Sequence, residues 1–410
     1  GSDPFVERRH FARRQSAGRD GGTRPHPCYI PENEFRKLRT MIRMYRRVAG
    51  VGLALTMLVA GCGHSSSISQ GPATSSTPVP SVATSSTRAA SATSQAARDL
   101  PDPHTLRGLT EVPELPDPKP VEGSSAQKLP VTVTDVEGNK VTIKSTSRIL
   151  ALDLYGTLSR TLIGLGLGDK IVGRTVSSTE KQLHDRPVVT ENGHVLNVEA
   201  VAGLKPSVII ADRSVGPKEA LDQLRKSGIP VVLVDPHRSV GSTPQLIRTI
   251  ADAVGKPDAG EALVKRTQEQ IDQAKKQIAA WKPAKPMRVA FLYVRGNAGV
   301  FFILGSENGA SELIQGVGAD DVASDKGITT LVPANAESLV SINPDAIFVM
   351  RDGLASTGGM KGLLARAGVA NTTAGRKQRV ISIPDGISLS FGPQTGEVLT
   401  AVAKALYGVK

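Results

Sequence analysis

The stretch ENGHVLNVEAVAGLKPSVIIA at 191–211 returns in outline as ANAESLVSINPDAIFVM at 334–350. Asn197, Glu199, Val201, Leu204, Pro206 and Ile209 match Asn335, Glu337, Leu339, Ile342, Pro344 and Ile347, every pair 138 positions apart. Each copy reads asparagine, any residue, glutamate, an apolar helix face, then proline and a β-rich run. A constant offset over six positions separates this from chance recurrence of common local grammar. Two copies of one supersecondary unit imply two similar lobes. A histidine, His194, stands just before the first copy only.

Between the copies, residues 258–281 (DAGEALVKRTQEQIDQAKKQIAAW) carry no proline and no glycine after Gly260. Leu263, Thr267, Ile271, Ala274 and Ile278 recur at helical spacing, which predicts one helix about 35 Å long, enough to bridge two lobes. Upstream, PVTVTDVEGNKVTIKS reads as a hairpin, and short strands and helices then alternate from RILAL to VVLVD at 231–235. Downstream the pattern restarts with MRVAFLYV. The expected fold is α/β, two Rossmann-like lobes with mainly parallel sheets joined by one long backbone helix. The boundaries fall at 128–257 for the N-terminal lobe, 258–282 for the bridging helix and 283–410 for the C-terminal lobe.

The chain of 410 residues has two cysteines, Cys28 and Cys62, so the expected lobes hold no thiol for a disulfide, a nucleophile or a Cys-type zinc site. The net charge is +12, but residues 1–61 hold 12 Lys/Arg against 5 Asp/Glu, which leaves +5 on the remaining 349 residues and no clustered nucleic-acid footprint. In MIRMYRRVAGVGLALTMLVAGC, arginines 43, 46 and 47 precede an apolar run too short to span a bilayer. Residues 41–61 therefore resemble a bacterial lipoprotein signal with its lipobox, cleavage before Cys62 leaving that thiol lipidated. Residues 1–40 read as a cloning scar and upstream extension. Residues 62–127, rich in Ser, Thr, Ala and Pro, are expected to be a disordered tether averaging about 45 Å end to end.

With the NxE…LxPxxII unit and the bridging helix in place, residues 128–410 resemble the helical-backbone (class III) periplasmic binding proteins that serve ABC importers. GHVLNVE at 193–199, FLYVRG at 291–296 and ISLSFGPQTGE at 387–397 more specifically resemble the actinobacterial haemin-binding lipoproteins of the HmuT family. That resemblance implies haem b, Fe(III) protoporphyrin IX, as transported ligand, with His194 and Tyr293 on the iron and Arg295 beside the tyrosine. It also implies that Glu199 and Glu337 dock arginine pockets on the two permease subunits.

Residue chemistry agrees. Downstream of residue 127 there are three histidines, His184, His194 and His237, and two tyrosines placed to reach a cleft, Tyr155 and Tyr293. Ferric iron prefers a hard anionic oxygen and accepts an imidazole opposite it. A free phenol titrates near pH ~10, so a phenolate needs a metal or a cation nearby. Arg295 shares a strand face with Tyr293, and either steadies a phenolate or pairs with a propionate. The plainer readings stay open. His194 would then cap a helix or sit solvated, Tyr293 and Arg295 would form a wet strand end, and Tyr155 would be core. His184 and His237 read as surface residues. Glu199 and Glu337 could simply answer the helix dipole. Arg351, Ser390 and Phe391 are expected at the cleft rim, outside the carboxyl ends of the strands, with Arg351 able to grip a propionate.

The expectation is a haem receptor and not an enzyme, for the sequence offers no G-x-S-x-G elbow and no H-E-x-x-H. Its partners would be haem, an ABC permease and ATPase complex, surface haem-binding donors and the membrane through a lipid anchor. No nucleic acid is expected, the protein would be a monomer, and its place would be the extracytoplasmic face of the cytoplasmic membrane. The alternative on the same fold is a ferric-siderophore or cobalamin receptor.

Overall fold

The computed structural model describes residues 100–122, 126–191, 193–296 and 299–410. The segments 1–40 and 41–61, Cys62 and the tether up to residue 99 lie outside them.

The N-terminal lobe is built on four parallel strands in the order Ile171–Gly173, Ile149–Leu152, Val208–Ala211, Val231–Leu233. Their side chains alternate between two cores, as a strand's period of two requires. Ile149, Ala151, Val208 and Ile210 enter one core, and Leu150, Leu152, Ile209 and Ala211 enter the other. A sheet covered on both faces accounts for the continuous apolar runs. The expected hairpin forms as Val131–Thr134 against Lys140–Ile143.

The C-terminal sheet runs Leu109–Glu111, Val380–Ile383, Ala346–Met350, Arg288–Arg295, Val300–Ile303, Val332–Pro333, with Asp320–Asp321 also pairing with Arg288–Arg295. The pairings are parallel except where Val300–Ile303 returns antiparallel beside Arg288–Arg295 and then pairs with Val332–Pro333. That return places a hairpin next to FLYVRG, which the alternating βα pattern did not indicate.

The repeat is structural. Helix Val198–Gly203 is capped by the Asn197 side chain and helix Ala336–Ile342 by that of Asn335. Each unit then passes through a left-handed residue before its proline, Lys205 at φ 47° and Asn343 at φ 37°, again 138 apart. The bridging helix spans Pro257–Trp281. Its first half, through Ala259 and Leu263, belongs to the N-terminal core, and its second half, through Ala274 and Ile278, to the C-terminal core.

One boundary is corrected. Of the 62–127 segment expected as tether, the described residues from 100 onward are built into the fold. Leu109–Glu111 adds a parallel strand to the C-terminal sheet beside Val380–Ile383. The chain then crosses to the other lobe, where the Asp117 carboxylate accepts from the Lys181 and Gln182 N–H groups at 2.8 and 2.9 Å and Val121 donates to Gly164. This second crossing is Pro-rich and lacks periodicity, so composition hid it; its order comes from partners distant in sequence.

Candidate ligand cleft

The carboxyl ends of the two sheets meet. Thr157, after strand Ile149–Leu152, donates its hydroxyl to the Ser390 carbonyl, and Arg160 donates to Gln394 Oε1 at 2.8 Å. From the other side, the Val240 N–H donates to Glu312 at 3.1 Å. Ligands of open α/β sheets sit outside these strand ends.

Tyr293 and Arg295 lie near the end of strand Arg288–Arg295, and the guanidinium carbon of Arg295 stands 5.0 Å from the centroid of the Tyr293 ring. The shared strand face expected for this pair is therefore present. Arg295 Nη2 donates to Asp385 at 2.5 Å. Burial pushes the Asp385 carboxyl above its ordinary value, with Arg295 opposing. His194 sits at the tip of a small hairpin, Thr190–Glu191 against Val195–Leu196, after Gly193, whose φ of 88° favours glycine. It is not a solvated turn residue: it is 7% exposed, and its carbonyl accepts from Gly216, just past strand Val208–Ala211. His184 and His237 are exposed, as expected. A fourth histidine, His104, joins the folded body with the corrected boundary and bonds Asp102.

Tyr155 is half-buried and packs against the C-terminal core, with Arg238 5.5 Å over its ring. Burial, then the Asp212 charge, push its phenol up to about 12, which disfavours it as an anionic ligand. Arg238 pairs with Asp212 and with Asp153, the latter at 3.5 Å. Burial drives both carboxyls upward, Asp212 to about 6.

The three residues expected at the rim are already engaged. Arg351 is committed elsewhere: it donates to Glu114 at 2.7 Å and to the Val112 carbonyl, both in the crossing segment that composition assigned to the tether. Ser390 and Phe391 are 5% and 6% exposed, with Ser390 at the seam between the lobes. Ser390 accepts there from Thr157, and Phe391 joins the C-terminal core. Glu199 and Glu337 are both exposed in the first turns of their helices.

Sequence reasoning missed Asp153, Asp212, Arg238 and Asp385. A signal was available, since ILALD, VIIAD, VVLVD and ISIPD each end an apolar run in aspartate, at 153, 212, 235 and 385. A groove of about 910 Å³ runs along the bridging helix near Glu111, Arg266 and Lys404, but no expected site residue lines it. Among the described residues, no group of three or more His, Cys, Asp or Glu could hold a metal ion by itself, and no helix is long and apolar enough to cross a membrane.

Residues 154–386 match the periplasmic binding protein family. Among solved structures, the heme binding protein HmuT is 49% identical, covering 76% of this chain and all of its own, with a TM-score of 0.74. It has also been solved with a histidine, a tyrosine or an arginine changed. Among curated relatives, the ABC transporter substrate-binding lipoprotein YvrC of Bacillus subtilis is 27% identical over 280 residues, 68% of this chain and 86% of its own. A cobalamin-binding protein of Halobacterium salinarum is 24% identical over 299 residues, 71% of this chain and 78% of its own. With two doubly covered lobes, one bridging helix and a match over more than half its length, this chain belongs to the periplasmic binding protein family, in the class with a helical backbone.

Proposed function

We propose that this protein is a haem receptor for an ABC importer, holding the iron of Fe(III) protoporphyrin IX between His194 of one lobe and Tyr293 of the other. The observation that carries the reading is the Tyr293–Arg295 pair at a C-terminal strand end, where a cation lies over a ring able to bind ferric iron as phenolate. His194, whose carbonyl accepts from Gly216 beyond strand Val208–Ala211 of the other lobe, supplies the imidazole. The 49% identity to a heme binding protein supports the ligand class. Binding and release involve no covalent chemistry.

Glu199 and Glu337, exposed and related by the repeat, serve as paired docking points for a two-fold permease and its ATPase, with upstream surface proteins as haem donors. Cys62 carries the lipid that holds the protein, as a monomer, at the outer face of the cytoplasmic membrane. A corrinoid or ferric siderophore is the alternative cargo, supported by the cobalamin-binding relative.

Haemin titration tests this. The wild-type protein should give a bound Soret band, and His194→Ala and Tyr293→Ala should each shift the band and weaken binding by at least roughly tenfold. Unchanged spectra in both variants would reject the ligand pair. Tight cobalamin or ferric-siderophore binding without haem binding would favour the alternative.

A further inference from the structure

Asp385 opens the short helix Asp385–Ser388 directly after strand Val380–Ile383, two strands from the one that carries Tyr293. Its two oxygens serve different partners. Oδ2 accepts from Arg295 Nη2 at 2.5 Å, while Oδ1 accepts from the Asp352 N–H at 2.8 Å, at the start of helix Arg351–Ser356. The same Arg295 nitrogen meets Met350 Sδ at 3.4 Å. Helix Arg351–Ser356 passes so close that a Cβ at Gly353 would run into Arg295 Nη1 and the Val294 carbonyl. The guanidinium is thus walled by a helix on one side and tied to a carboxylate on the other, and in that pose it stands over the Tyr293 ring.

We infer that Asp385 is a positioning residue for cargo binding: it anchors Arg295 over Tyr293 and so commits this arginine to the tyrosine, not to a carboxylate of the ligand. The inference rests on the haem reading above. A bidentate grip on a propionate would need the guanidinium fork free, and here one arm is taken by Asp385 and the other is packed against Gly353. Asp385 acts through the arginine, to which its Oδ2 is bonded.

Asp385→Asn separates the two duties of the side chain. Its amide oxygen can still accept from Asp352, keeping the helix start, while its NH2 group faces Arg295 and cannot accept from it. In haemin titrations followed by absorption, Asp385→Asn should weaken binding several-fold, up to roughly tenfold, and move the ferric spectrum toward that of Arg295→Ala. Asp385→Glu, which retains the charge, should recover part of the loss. In an Arg295→Ala background, Asp385→Asn should change nothing further, because the partner through which it acts is gone. Equal added losses in the double variant, or a wild-type spectrum and affinity in Asp385→Asn, would overturn the inference. The two readings fail differently. If His194→Ala and Tyr293→Ala leave the spectrum unchanged, the ligand pair and the anchor fall together; if they alter it and Asp385→Asn does not, only the anchor falls.

Discussion

The two lobes end their central strands in the same ion pair with its ends exchanged. Ile149 faces Val208 as Val289 faces Ala346, and Val208 and Ala346 are partners in the 138-residue repeat. By that register Asp153 stands where the other lobe has Tyr293, and Tyr155 stands where it has Arg295. In the N-terminal lobe the strand end supplies the acid and the loop after Val231–Leu233 supplies Arg238. In the C-terminal lobe the strand end supplies Arg295, and the loop after Val380–Ile383 supplies Asp385. Both arginines lie over a tyrosine ring, at 5.5 and 5.0 Å. A repeat that conserves architecture while exchanging charges can turn one lobe's cluster into a seam and leave the other's for cargo. The N-terminal arginine answers two buried acids, and the tyrosine beside it packs into the opposite lobe. The C-terminal arginine answers Asp385.

That contrast breaks if the arginines prove interchangeable. Arg238→Ala leaves Asp153 and Asp212 buried without their cation, a loss of about 3–5 kcal/mol in urea unfolding. Arg295→Ala removes the cation beside Asp385, which is 12% exposed and keeps the Asp352 N–H, so its cost should be smaller, about 1–3 kcal/mol. Haem affinity should rank them in the opposite order once the folded fractions are matched. If Arg295→Ala is the more destabilising, or Arg238→Ala the more damaging to haem binding, the division into seam and site is wrong.

A pH series sharpens the same contrast. Burial and the neighbouring Asp153 hold the Asp212 carboxyl at about 6 against the attraction of Arg238. Between about pH 4 and 6 the folded protein therefore keeps a proton that the unfolded chain has released, so this group's contribution to stability is fullest below about 4 and declines as pH rises through 6. The total change is of order 3 kcal/mol for a shift of this size. Asp212→Asn cannot titrate, and its stability relative to wild type should improve steadily across that window. Parallel pH profiles for the two proteins would show that the seam carries no such proton.

The lobes, the bridging helix and the repeat were legible because each rests on periodicity within a short window. Leu263, Thr267, Ile271, Ala274 and Ile278 are all buried on one helix face, and both asparagine-led helices begin where the repeat places them. Tyr293 and Arg295 were legible as a pair because a strand's period decides it. What escaped depends on partners far away in sequence. Arg351 looked free until Glu114 and Val112, 237 and 239 residues upstream, were placed beside it. Ser390 and Phe391 looked like loop residues because the Gly-Pro turn that follows them gives no sign that another lobe covers it. The Leu109–Glu111 strand has three residues, too few for alternation to register, and owes its order to Val380–Ile383.

The smallest expected effect tests whether the repeat is also energetic. Asn197 accepts from the Ala200 N–H and Asn335 from the Ser338 N–H, so each satisfies a backbone donor left open at a helix start. Truncation to alanine should cost about 1 kcal/mol at either site. Asn335→Ala should lie at the upper end, because the Ser338 hydroxyl also accepts from the Asn335 N–H and that reciprocal box loses half its bonds. Asn197→Ala also releases its bond to Glu191, 2.9 Å away at the hairpin that carries His194, so this cap alone should produce a small change in haem affinity. The caps stand in different lobes and share no partner, so the double variant should lose the sum of the two, read as urea midpoints at constant slope. A coupling above about 0.5 kcal/mol would mean that the lobes communicate through these helices, and that the two copies behave as one cooperative unit rather than as two similar ones.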